Sequence, residues 1–242
     1  MKLAHSASRS VARWASGAVF AAILSSYAGV AAATPFDPFA TFNTGVNAIG
    51  VPLALGAPDL HWLYVAGPDL PIPANAIVVT NQHPSGQYFA TSDSLWISRL
   101  ANGSVSTNTP YTYELAFNLT GFDASTAVLS GIWGVDNFGS ILLNGVAPTG
   151  TGTFSLAGTQ VSHFNSTHAF TINGGFLSGI NKLQVQVVDT GNPSGFNVSA
   201  LLGSATPSAT PVPEPSTSGL LGIGVFAIAL LCRWRLTRSV NT

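Results

Sequence analysis

Two stretches of the chain alternate strictly between apolar and polar positions. Tyr111, Tyr113, Leu115, Phe117 and Leu119 share one face, with Thr112, Glu114, Asn118 and Thr120 on the other. Leu183, Val185 and Val187 likewise oppose Lys182, Gln184 and Gln186. A period of two is that of a half-buried antiparallel strand. Similar short runs recur between turn signals, at 77–80, 88–91, 95–99, 112–119, 127–135, 140–143, 153–156, 168–172, 182–188 and 196–201. Asn144-Gly145, directly after Ile141-Leu142-Leu143, marks a tight hairpin turn. Strands at this spacing predict an all-β, antiparallel β-sandwich over 76–203. Residues 34–75, punctuated by seven prolines from Pro35 to Pro73, are expected to be irregular.

The two ends follow a different pattern. Lys2, Arg9 and Arg13 precede an apolar stretch from Ala15 to Val30 and the small residues Ala31-Ala32-Ala33. That order predicts a signal helix and peptide over 1–33, recognised at Ala31 and Ala33 and cut before Thr34. At the other end, a Ser/Thr/Pro linker over 204–215 leads into an uncharged run from Gly219 to Cys232, and then into Arg233, Arg235 and Arg238. With its flanking residues the run reaches the roughly 20 positions that a helix needs to span a bilayer. A single transmembrane helix is therefore expected over 216–234, with a basic tail over 235–242 stopped on the cytoplasmic side by the three arginines.

The tail resembles the PEP-CTERM sorting signal of Gram-negative bacteria. The resemblance rests on Val212-Pro213-Glu214-Pro215, the Ser/Thr that follows, Leu220-Leu221-Gly222 and the terminal arginines, although Trp234 and Leu236 interrupt the basic cluster. It implies that an exosortase, a membrane protease-transpeptidase, processes an inner-membrane precursor. It also implies a secreted or surface protein of the kind associated with exopolysaccharide and biofilm matrix. It says nothing of an activity for the body.

Charge narrows the body's partners. Between the two signals only Arg99 and Lys182 face eight acids: Asp37, Asp59, Asp69, Asp93, Glu114, Asp123, Asp136 and Asp189. A surface so poor in cations is a weak match for phosphates, which argues against nucleic acid as a partner. The single cysteine, Cys232, lies in the expected span, so the body has neither a disulfide nor a cysteine nucleophile.

The segment 85–200 also resembles galactose-binding-like jelly rolls. The likeness is carried by Gly121-Phe122-Asp123, the run from Ala127 to Asn137, Ile141–Gly145, and Phe176–Leu183 with its G-x-N-x-L pattern. It implies the jelly-roll-like sandwich of many carbohydrate-binding modules, a fold also used as an inert spacer. Trp133, Asp136 and Asn137 are ligand-binding candidates, and Trp62, Tyr64, Tyr88 and Trp96 are further aromatic faces on which a sugar could stack; the alternative is core packing, which the apolar strand around Trp96 and the register of Trp133 with Leu129, Gly131 and Val135 favour.

Catalytic constellations are sparse. Glycoside hydrolysis requires two carboxylates about 5–10 Å apart, and Asp123 with Asp136 is the nearest candidate pair. A turn-forming role suits both better, so no catalytic residue is expected and a polysaccharide hydrolase is the alternative. His163 and His168 lack a neighbouring acid, and strand geometry would set them on opposite faces. No cofactor is expected. Calcium is the one metal whose hard ligands are present in loops, at Asp123, Asp136, Asn137 or Asp189, without an EF-hand pattern. Gly150-Thr151-Gly152 is expected to form a flexible loop.

Overall fold

The computed structural model describes residues 41–208. The signal peptide with Ala31 and Ala33, the motif Val212–Pro215, the expected membrane helix and Arg233, Arg235 and Arg238 all lie outside the described residues. Among those described, no helix is long and apolar enough to cross a membrane.

Eleven strands form one antiparallel sheet: β1 (Pro58–Ala66), β2 (Ala74–Val78), β3 (Ile97–Ser98), β4 (Pro110–Asn118), β5 (Val128–Asp136), β6 (Phe138–Leu143), β7 (Thr149–Gly152), β8 (Ser155–Leu156), β9 (His168–Gly174), β10 (Ile180–Val188) and β11 (Gly195–Ser204). A single helical turn, α1 (Ser162–Asn165), precedes β9. The spatial order is β7-β9-β5-β11-β3-β2-β1-β4-β10-β6-β8. The two-residue β3 is the fold line, and the sheet curls so that its halves face each other. Phe196 of β11 meets Trp62 of β1 at 5.4 Å and Tyr113 of β4 at 4.8 Å between ring centroids. This curled sheet is compatible with a jelly-roll-like domain.

The strictly alternating segments pair with each other. Leu183 lies opposite Leu115, Val185 opposite Tyr113, and Val187 opposite Tyr111. All six are buried. On the outer face Lys182 reaches Glu114 at 3.1 Å, and Gln184 donates to the same carboxylate at 3.0 Å. Asn144 and Gly145 both take positive φ, 55° and 83°, closing the β6 hairpin through the Leu143–Val146 bonds.

Three sequence expectations change. The proline-dense segment 34–75 is not wholly irregular, because it contains β1 and the start of β2. Pro58 sits at the first position of β1, where the missing N–H costs no ladder bond, and Pro68, Pro71 and Pro73 lie in the β1–β2 connection. β1 is anchored by Asp59, whose carboxylate accepts from the backbone N–H groups of Gly45 (2.7 Å), His61 (2.8 Å) and Trp62 (3.1 Å). Residues 88–91 are not a strand. They belong to an excursion over 79–96 that packs Val79, Tyr88 and Trp96 with Phe89 and Phe164 into a second, smaller apolar cluster. Gly150–Gly152 is part of edge strand β7 rather than a loop.

Register divides the connections between two ends of the sheet. The β1–β2 loop, the chain after β3, Asn137 and residues 189–194 gather at one end. The β4–β5 link, the Asn144-Gly145 turn, residues 175–179 and the exit from β11 gather at the other.

Candidate functional site

The end holding residues 189–194 contains a buried polar network. Asp136 terminates β5 and is buried. Its Oδ2 accepts from the Tyr88 hydroxyl at 2.7 Å, and its Oδ1 accepts from the Asn137 side-chain amide. Asn137 in turn accepts at Oδ1 from Thr190, through both N–H and hydroxyl at 2.7 Å. Its carbonyl lies 2.8 Å from Nδ1 of the buried His163. Ser194 donates to the Asp136 carbonyl at 3.3 Å. Asp189 is buried beside this network; one carboxylate oxygen accepts from Gly191 at 3.2 Å, and the other has no hydrogen-bond partner among the described residues.

Burial dominates the electrostatics. It pushes the Asp136 carboxyl up to about 6, against the Tyr88 hydrogen bond and with the help of the Asp189 charge. Burial raises Asp189 as well. It raises the Tyr88 hydroxyl, with Asp136 adding to that shift. A cleft of about 300 Å³ opens beside Tyr88, lined also by Asn81, Ser85, Asn102, Asn192 and Ser194. A larger one of about 600 Å³ lies between the β1–β2 loop and the chain after β3.

Asp136 and Asn137 do lie together, but Trp133 does not join them at a surface. It is fully buried, with its indole N–H held by the Thr153 carbonyl at 2.8 Å. Trp62, Tyr64, Tyr88 and Trp96 are buried too. None of these five rings presents an open face for stacking. Curling one sheet onto itself requires large side chains between the halves, and Trp62, Tyr64 and Trp133 help fill that space, whereas Tyr88 and Trp96 pack in the smaller cluster of the 79–96 excursion.

Asp123 and Asp136 lie at opposite ends of β5 and form no pair. Asp123 caps a 3₁₀ turn, Ala124–Thr126, through bonds from Ser125 N–H (2.9 Å) and hydroxyl (2.7 Å). Those bonds hold its carboxyl below the usual range. The same separation keeps Asp123 out of any cation site with Asp136, Asn137 and Asp189. The Asp136 oxygens are already engaged by donors, an arrangement that suits hydrogen bonding better than a metal. His163 and His168 meet, at 6.2 Å between rings, because α1 breaks the strand that would have parted them. No group of three or more metal-ligating side chains forms among the described residues.

A β-sheet domain of this kind defines no activity; its address is carried downstream. Residues 211–235 match the PEP-CTERM protein-sorting motif. The motif marks an exported protein made as a membrane-anchored precursor and processed by an exosortase. No curated protein and no solved structure matches the chain.

Proposed function

We propose that the protein is a non-catalytic cell-surface or extracellular-matrix component that associates with extracellular polysaccharide after exosortase processing. The observation that carries this reading is the sorting motif at 211–235, placed three residues beyond the last described residue of the domain. A non-catalytic role is supported by Asp136 being bonded at both carboxylate oxygens and by Asp123 standing at the far end of β5. The polar side chains in the two clefts supply hydrogen-bonding surface for a glycan. With the aromatic rings buried, recognition runs through hydroxyl and charge contacts rather than stacking.

Replacement of Pro213-Glu214-Pro215 by alanines is expected to hold the precursor in the inner membrane, read by fractionation and immunoblot. Normal appearance of this variant in the medium rejects exosortase sorting. Retention on extracellular polysaccharide without release of reducing sugar is the expected behaviour of the wild-type chain. Sugar release that Asp136→Asn abolishes makes the protein a hydrolase instead.

A further inference from the structure

The two cations among the described residues have different surroundings. Lys182 is paired with Glu114. Among the described residues Arg99 has no acid within salt-bridge distance, although it lines the 600 Å³ cleft together with Asp69, Ser104 and Ser106. Its guanidinium lies over the Tyr64 ring, 5.1 Å from the centroid. One amino group donates to the Leu70 carbonyl at 3.0 Å, and the buried Nε–H has no acceptor. A guanidinium carries five donors in a planar fork matched to a carboxylate. The fold engages only a minority of them.

Asp69 and the two serines are the other polar groups of the cleft, and several of its atoms are held by hydrogen bonds. Asp69 accepts at Oδ2 from the Tyr111 hydroxyl (2.9 Å), and its N–H donates to the Tyr64 hydroxyl (3.0 Å). The Ser106 N–H donates to Tyr111 at 2.8 Å. The rings of Tyr64 and Tyr111 lie 5.6 Å apart beneath. The Ser104 and Ser106 hydroxyls make no hydrogen bond within the described residues, and Pro68, Leu70, Leu100 and Val105 supply the apolar walls.

From this juxtaposition we infer a binding site for a polyhydroxylated carboxylate, specifically a uronic acid residue. The sugar's carboxylate pairs with the Arg99 fork while its ring hydroxyls donate to the remaining Asp69 oxygen and exchange bonds with Ser104 and Ser106. Asp69 is what selects this class. It repels a bare anion but rewards a ligand that presents hydroxyl donors next to its charge. A neutral sugar loses the charge-assisted pair, the strongest contact available there. The inference deepens the polysaccharide reading and rests on it for the polymer, though not for the monosaccharide.

The test is calorimetry of the full chain in detergent with sodium glucuronate, glucose and acetate. Glucuronate is expected to bind at least about tenfold more tightly than the other two, the effect of one charged hydrogen-bonded contact. Arg99→Gln is expected to lose at least that factor, and Asp69→Asn several-fold. Because Arg99 packs over Tyr64, Arg99→Lys serves as the second variant: it keeps the charge and stem but not the fork, and is expected to bind several-fold more weakly. Wild-type-like glucuronate binding by a folded Arg99 variant overturns the site, as does the absence of glucuronate binding to the wild type. Polysaccharide retention and glucuronate binding that both survive Arg99 replacement reject this site but leave the polysaccharide reading standing. Arg99-dependent glucuronate binding without polymer retention does the reverse.

Discussion

The two ends of the sheet treat their acids in opposite ways. At the end holding Asp136 and Asp189 both carboxyls are buried and pushed upward, and Asp136 is bonded to Tyr88, 48 residues away. At the exit end Asp123 is exposed, pushed downward, and bonded two residues along its own chain. The first arrangement joins β5, the 79–96 excursion and residues 189–194 into one unit. The second caps a turn. Long-range polar networks in a low-dielectric setting stabilise only when satisfied, whereas local caps act almost independently of the rest of the fold. Damage at the first end is therefore expected to propagate, and damage at the second to stay local.

The largest effect is expected from Gly134→Val. A Cβ at this position of β5 would lie 2.3 Å from the Phe89 ring and 2.8 Å from the His163 carbonyl. The excursion and α1 must then lift from the sheet, at a cost of about 3 kcal/mol or more. Chemical denaturation measures the cost, and an unchanged midpoint contradicts the close packing of the excursion.

The next effect is a pH slope. Asp136 has a folded pKa of about 6, above the roughly 3.9 of an unfolded Asp. The native state therefore binds more protons between those values, and this group's contribution is fully favourable below about pH 4 and lost as pH rises through 6. Asp136→Asn removes that loss. The melting temperature of the variant relative to wild type is expected to improve as pH rises from 4 to 7. A relative melting temperature that falls over this range contradicts the buried, raised carboxyl.

The smallest effect is expected from Asp123→Ala, which removes an exposed cap. Its drop in melting temperature should be smaller than that of Gly134→Val and flat between pH 5 and 7, since its carboxyl titrates below that window. A pH-dependent loss comparable to that at Asp136 would erase the contrast between the ends.

Much of the framework was legible because it rests on alternation. β4 and β10 carry their buried face in every second residue, and Asn144-Gly145 can adopt the positive φ that its turn requires. β1 was hidden because its neighbours are prolines and its inward set begins with Asp59, a polar residue whose burial is offset by three backbone donors. β7 was hidden because Thr149–Gly152 is exposed throughout and has no apolar signal. The site was less legible. Trp133 beside Asp136 offered an aromatic platform, but its register with Leu129 and Val135 already favoured the core, where the structure places it. The meeting of Asp136 with Tyr88 and Asp189 links positions 48 and 53 residues away, and no local pattern encodes it. Arg99 carried the one usable clue, as one of two cations in an acidic body.

The exit from β11 sets how closely processing can approach the folded body. Phe122 bridges to Pro207, and the Ser208 N–H donates to the Gly121 carbonyl at 2.8 Å, so the sheet holds its chain up to that residue. The five residues from there to Pro213 extend at most about 18 Å. The sorting motif therefore begins within a few residues of the point where the sheet lets go of its chain.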